Sequence, residues 1–533
     1  HLLYRHLLYR HLLYRHLLLS SLDNTYTNTA NFRWGTEIAW PLICQSFPCQ
    51  VQGPNSTLNK STWITITNVA ELKQQRKSYL ALGATYNPSL WNATHIAQVA
   101  KAAGFKYVIY TTVHCDGFAN WPSNVTDFNI QNSALLPKGR DIFGELVTAL
   151  RLEDIKIGAY LCPTMWNQPN FVWPDPLTSL NARGAEFPTY DPLTKDGPNK
   201  WQKYLNVLHG MVKELADTYQ PDFFWFDCHD SVPDMDTKLE EIVSYVRNKN
   251  PSSLIMTRNG IFSDYSELSD QSESIVGQGV MGQINGLAAT PEFEVGTPLQ
   301  ASLQWAFDPN SKQKSLSEII SNLMMIVSKG GNYLINVAPD SRGLFASSAE
   351  IFLQRMSIWF DNNGEAIHDT TPMNPYESTD SNGGVVYYTS RPLLSGNKEA
   401  NDEKGVIVYV LIPASKPNVQ KVIQQAPKHG KPTGVPASST STSTSTTTLI
   451  SNPMHLSVMQ GSNVLLSSFR PSLLSSTVQL TTVQLLGVQQ PIDFQLDGLG
   501  LHLNASIKKV PSFLKNGIVY KLTFETTTRT TEL

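Results

Sequence analysis

The chain has 533 residues, of which 41% are apolar, 16% charged and 10% aromatic, and its formal net charge is −3. Such a length predicts two or three domains, and such a composition a globular chain rather than a disordered one. A near-neutral chain with no basic stripe and no apolar run of about 18 residues predicts no nucleic-acid partner and no membrane span; the expected partner is neutral or small.

Residues 1–15 read HLLYR three times over. A period of five matches neither a helix face nor a strand face, so this segment presents no single buried stripe. The longest apolar run in 1–24, Leu17-Leu18-Leu19, is too short for the apolar region of a secretory leader. Residues 1–24 are therefore expected to be an appendage outside the fold. The 5 cysteines contain no CxxC pair, so neither a zinc cluster nor a dense disulfide scaffold is expected. Cys44 and Cys49 could close a short loop in an oxidising compartment. Sequons at Asn55, Asn59, Asn92, Asn124 and Asn504 permit secretion without requiring it.

From residue 25 to 368, short apolar runs alternate with amphipathic stretches. Residues 104–112, 154–162, 222–227, 253–258 and 332–337 predict buried parallel strands, being short, rich in β-branched and aromatic residues and nearly uncharged at their centres. Residues 94–104, 141–153, 201–219, 315–331 and 347–365 predict helices, several of them ending on Gly. Repeated strand-helix units over this length predict a (β/α)8-like, TIM-type barrel. Residues 369–533 carry short alternating runs such as GVVYYTS, GVIVYVLI and GIVYKLTF, which predict an antiparallel β-sandwich. A Ser/Thr-rich loop, 436–450, interrupts it, too polar to offset its own ordering entropy.

Active sites of parallel barrels gather at the C-terminal strand ends. There the first run leads into His114-Cys115-Asp116-Gly117-Phe118, the second carries Tyr160 and ends near Trp166, the third closes on Asp227 and the fourth on Arg258. Cys115, Cys162 and Cys228 each follow a predicted strand. Asp227 leaves the apolar run Phe223-Phe224-Trp225-Phe226 on a rigid strand; a catalytic carboxylate and a helix-capping Asp are both compatible with that place. No ligand cluster of metal spacing is present, and no cofactor is expected.

The stretch FKYVIYTTVHCDGFANWPSNVTDFNI (105–130) resembles the signature of family 29 glycoside hydrolases, the α-L-fucosidases, in which a strand leads into His-His-Asp-Gly-Phe and then Trp-Pro. QPDFFWFD (220–227), VSKGGNYLINVAPDSRG (327–343), WFDNNGEAI (359–367) and TTVQLLGVQQPIDFQLDGLGLHL (481–503) are similar to further segments of that family, in its order and spacing. The resemblance implies a retaining exo-glycosidase that releases terminal α-L-fucosyl residues from a glycan. Such enzymes hold two carboxyl groups roughly 5–5.5 Å apart. Asp227 matches the nucleophile, and Glu294 lines up with a glutamate that precedes a Trp-Gly-Tyr-like segment, here Trp305-Ala306-Phe307; Glu292 and Glu267 are rivals for the acid/base. His114, Cys115, Tyr160, Trp166, Arg258, Trp40 and Trp305 are implied as substrate contacts. The usual first-strand histidine is Ala39 here, and the second of the His-His pair is Cys115, a weaker hydrogen-bond partner. These departures keep open a glycosidase of altered sugar specificity and a catalytically silent carbohydrate-binding barrel. An extracellular, lysosomal or vacuolar place fits the resemblance.

Overall fold

The computed structural model describes residues 34–38, 80–165, 168, 170, 197–227, 237–257, 263–269, 293–302, 305–379, 384–394, 403–414, 463–466, 469, 478–489, 492–497, 499–504 and 511–526. The HLLYR repeat and the Ser/Thr-rich tract lie outside them.

Eight parallel strands form the first sheet: β1 (Trp34–Ile38), β2 (Tyr107–Val113), β3 (Lys156–Leu161), β4 (Phe223–Phe226), β5 (Leu254–Thr257), β6 (Ser266–Ser269), β7 (Phe293–Pro298) and β8 (Asn332–Asn336). They pair in the order β5-β4-β3-β2-β1-β8-β7-β6. Apart from β5 and β6, each strand thus lies beside its neighbour in sequence, and β1 pairs with β8. Among the described residues no ladder joins β5 to β6, so the sheet is open at that seam rather than a closed barrel.

β2 and β4 are buried along their whole length, which is why their sequences read as unbroken apolar runs. Glycine at position 158 of β3 leaves room for the interior: a Cβ there would stand 2.3 Å from Ile109 Cδ1 and 3.0 Å from Phe223 Cβ.

Helices fill the connections: α1 (Ala93–Ala102), α2 (Ile142–Leu152), α3 (Gly197–Thr218), α4 (Leu239–Lys249), α5 (Leu316–Ser328) and, after β8, α6 (Ser347–Asn363). Their starts are written in the sequence. Asn92, Asp141 and Ser315 cap α1, α2 and α5, each accepting a backbone N–H from three residues on.

Beyond α6 the sheets turn antiparallel, with β9 (Thr371–Thr379), β10 (Val385–Leu394), β11 (Glu403–Pro413), β12 (Asn463–Leu466), β13 (Val478–Leu485), β14 (Asp493–Asp497), β15 (Gly500–Asn504) and β16 (Gly517–Thr526). One sheet runs β13-β16-β11-β10-β9 and the other β12-β15-β14. The period of two sorts the larger sheet's side chains. Tyr387, Tyr409, Leu411 and Val519 join the core of the parallel unit. Their neighbours Val386, Tyr388, Val410 and Tyr520 join a second core with Leu466, Leu501 and Leu503 of the smaller sheet. The junction is also polar: Trp359 Nε1 donates to Gly517 O at 3.2 Å, and Glu365 accepts from Arg391, Tyr409 and Lys521.

His368 lies at this junction. Its ring stacks on Phe360 at 5.3 Å and both ring nitrogens are shut off from solvent. Burial, and then the charge of Lys106, push the imidazole down to about 3. The unfolded His368, near 6.5, binds a proton that the folded one refuses, so its contribution is intact above pH 6.5 and lost as pH falls toward 3. At pH 4.5 the loss should reach about 2–3 kcal/mol. Denaturant unfolding of wild type and His368→Gln at pH 7 and 4.5 checks this: the stability lost on acidification should be smaller in the variant by about that amount. An equal loss in both would show that His368 does not titrate in this way.

Candidate active site

The C-terminal ends of the eight parallel strands face one side of the sheet, and three adjacent strands bring the site together there. β2 ends in the turn His114-Cys115-Asp116-Gly117. Gly117 N donates to His114 O at 2.9 Å, Asp116 Oδ1 accepts Phe118 N at 3.1 Å, and Gly117 takes a φ of 79°, a region open to glycine. This local chemistry places His114 at the strand's exit. Cys115 N donates to His114 Nδ1 at 2.7 Å, so in the neutral ring the proton sits on Nε2 and that nitrogen is a donor.

Tyr160 on β3 is the centre of the cluster. Its ring stacks between His114 and Trp225, at centroid distances of 5.3 Å on either side. Its hydroxyl donates to Asp227 Oδ2 at 2.5 Å. Asp227 directly follows β4 and is 7% exposed, reaching the surface only at the strand's end. A phenol aimed at a carboxylate in this enclosure fixes the carboxylate's orientation.

Glu294 sits deeper. It is the second residue of β7, paired in register with Asn332 on β8 and Glu267 on β6. It is 1% exposed, and both oxygens are engaged: Tyr107 Oη donates to Oε2 at 2.5 Å and Trp225 Nε1 to Oε1 at 3.1 Å. Burial and then the Glu294 charge raise the Tyr107 hydroxyl well above its usual range, so it remains a donor. Glu294, the residue that the family resemblance offers as acid/base, thus belongs to the strand interior. Glu294 lies in the N-terminal half of its strand, whereas Asp227 lies just past the C-terminal end of β4.

The structure thus joins His114, Cys115, Tyr160 and Asp227, with Glu294 linked to them from below through Trp225. Trp305 is partly exposed, on the segment that follows β7. Trp40, Trp166, Arg258, Ala39 and Glu292 lie outside the described residues, and of Glu267 only the backbone is described. Trp225 and Tyr107 were not singled out from the sequence. Trp225 had a usable signal: two residues before Asp227 on a strand, it shares that residue's face. The Trp-Pro segment is structural, Trp121 Nε1 and Ser123 Oγ both donating to Glu214 on α3. Among the described residues no group of three or more His, Cys, Asp or Glu is placed to hold a metal.

Comparison with known proteins gives this cluster a family. The fold is similar to that of α-L-fucosidase isoenzyme 1 from Paenibacillus thiaminolyticus, with a TM-score of 0.62, 22% identity, and coverage of 93% of this chain and 97% of that one. It is also similar to a GH29 α-L-fucosidase from Bacteroides thetaiotaomicron solved as a trapped covalent intermediate, with a TM-score of 0.59, 18% identity, and coverage of 95% and 97%. The tissue α-L-fucosidase of Homo sapiens is 27% identical over 330 residues, covering 59% of this chain and 62% of that protein. The chain therefore spans about three-fifths of the length of the curated relatives it matches. The family model for α-L-fucosidase matches residues 52–365, a span that contains Asp227 and every residue of the stacked cluster, and the chain belongs to the α-L-fucosidase family.

Proposed function

We propose that the protein is a retaining exo-α-L-fucosidase that removes terminal fucosyl residues from glycans in two displacements. The observation that carries this reading is Asp227, held at the end of β4 by the Tyr160 hydroxyl at 2.5 Å, within a chain of the α-L-fucosidase family. Asp227 attacks the anomeric carbon while a carboxylic acid protonates the leaving oxygen. Water, deprotonated by the same group, then releases fucose with its configuration kept. His114, with its Nε2–H donor, and the Tyr160–Trp225 ring pair are assigned to the sugar's hydroxyls and apolar face; Trp40, Trp166, Arg258 and Trp305 complete the contacts in this reading.

The eight strands are read as a (β/α)8-type barrel with its seam between β5 and β6, and the two antiparallel sheets as a sandwich; the fucosidase structures of like fold support both. A lysosomal or secreted location fits the tissue and plasma relatives. No helix among the described residues is long and apolar enough to cross a membrane.

Glu294 is assigned here to the support of the stack rather than to proton transfer, because both its oxygens are taken up in the strand interior. The acid/base then belongs to a carboxyl nearer the rim. Asp270 follows β6 as Asp227 follows β4, and Glu273 comes three positions later on the same connection, whereas Glu292 immediately precedes the start of β7.

A panel of nitrophenyl glycosides tests the sugar. The α-L-fucoside should turn over at least about a hundredfold faster than the β-D-galactoside, the difference a site makes when it reads hydroxyls by hydrogen bonds. A faster galactoside would redirect the assignment, and turnover of neither would return the protein to a binding role.

A further inference from the structure

We propose that Cys115 and Cys162 are a redox pair that closes to a disulfide, tying together the catalytic ends of β2 and β3. Cys162 directly follows β3 and Cys115 stands two residues beyond β2. The backbone of Cys162 still donates to Val113 O at 3.1 Å, so the strand ladder runs right up to the thiols. Their sulfurs lie 2.8 Å apart. Unbonded heavy atoms settle at about 3.5–4.0 Å, and a disulfide at about 2.05 Å. Closing the bond therefore needs the two sulfurs to approach by less than about 1 Å.

The surroundings favour the bond over a lasting adduct. Cys115 is 2% exposed and Cys162 fully buried, so a small disulfide attached to either one has little room. Thr164 Oγ1 stands 3.1 Å from Cys162 Sγ and 3.7 Å from Cys115 Sγ, a hydroxyl able to stabilise whichever sulfur is ionised. The chemistry is thiol–disulfide exchange with a low-molecular-weight disulfide. One thiolate attacks it, forming a mixed disulfide and expelling one small thiolate. The second cysteine then attacks the mixed disulfide, forming the Cys115–Cys162 bond and expelling the other. Two cysteine thiols are oxidised, one small disulfide is reduced to two thiols, and the two cysteine protons pass to those thiols or to solvent.

The cysteines are 47 positions apart, so the bond closes a long loop containing α2 and restrains the unfolded chain. The bond also sits against the site: Cys115 holds His114 through its backbone N–H, and Tyr160 lies two residues before Cys162.

The test uses the full chain equilibrated with oxidised glutathione, in urea below the unfolding transition so that the reagent is admitted, followed by alkylation and peptide mapping. The expected result is a peptide pair joined through Cys115 and Cys162, and a thermal midpoint raised by several degrees that dithiothreitol reverses. Cys115→Ala and Cys162→Ala should each abolish the rise. Separate alkylation of both residues, separate glutathione adducts on them, or bonding of either to Cys44, Cys49 or Cys228 would overturn the proposal. The mapping of the wild-type chain stands even if a variant folds poorly, and its outcome does not depend on which sugar the enzyme reads.

Discussion

Asp227→Ala or Asp227→Gly should lower kcat on an aryl α-L-fucoside by about a thousandfold or more while leaving a folded chain. On the scale of about 1.4 kcal/mol per decade, that is at least about 4 kcal/mol of transition-state stabilisation. The fold should survive because Asp227 lies past the end of its strand, and its backbone N–H, which donates to Leu161 O at 3.0 Å, is kept in both variants. Removing it deprives the Tyr160 hydroxyl of the acceptor at 2.5 Å, a cost of about 1–3 kcal/mol. The shortened side chain leaves a gap where the carboxylate stood. Azide should enter it, restore turnover of substrates with good leaving groups, and yield a β-L-fucosyl azide, since a single displacement inverts the anomeric carbon. Activity within tenfold of wild type, or no azide product, would remove Asp227 from the nucleophile's role.

Glu294→Ala should weaken the fold by about 2–5 kcal/mol, because it leaves the hydroxyl of Tyr107 and the indole N–H of Trp225 without their acceptor in a closed interior. Glu294→Gln, which keeps one acceptor oxygen, should lose less. The kinetic pattern separates support from proton transfer. A general acid matters most for poor leaving groups, since dinitrophenolate departs without a proton. Loss of Glu294 should therefore slow dinitrophenyl fucoside and natural glycans by similar factors, as the stack beneath Asp227 loosens. The acid/base variant, sought among Asp270→Asn, Glu273→Gln, Glu292→Gln and Glu267→Gln, should lose glycan activity and keep most of the dinitrophenyl activity. If Glu294→Gln itself shows that split, Glu294 is the acid and the support role is wrong.

What could be read from the sequence, and what could not, divides along contact distance. β2, β3, β4, β5 and β8 were legible because they are buried on both faces, save Lys156 at the start of β3, and their centres carry no charge. β6, Ser266–Ser269, and β7, Phe293–Pro298, were not. β6 has one apolar residue in four, and β7 carries a glutamate, a glycine and a proline. Glu294 is tolerated inside because its partners arrive from β2 and β4, 187 and 69 positions away, and no local pattern records such a pairing. Asp227 was legible for the opposite reason: a lone charge closing an apolar strand is visible in five residues. Cys115 shows the limit of alignment. Its place in the family's pattern assigned it to the sugar, while its nearest sulfur partner, Cys162, is set by how β2 and β3 lie together. The change from parallel to antiparallel sheets beyond α6 was plain from the switch to short alternating runs.

The measurement that bears most directly on the account is covalent trapping. A 2-deoxy-2-fluoro-α-L-fucosyl fluoride has a good leaving group and a ring fluorine that slows both steps, so the glycosyl-enzyme accumulates. Incubation, digestion at low pH and peptide mass analysis should find one fluorofucosyl ester, on Asp227, in the peptide containing Phe223–Phe226, appearing as activity is lost. An ester on any other carboxylate, or release of β-L-fucose from an aryl α-L-fucoside with no trapped species, would contradict the double displacement through Asp227.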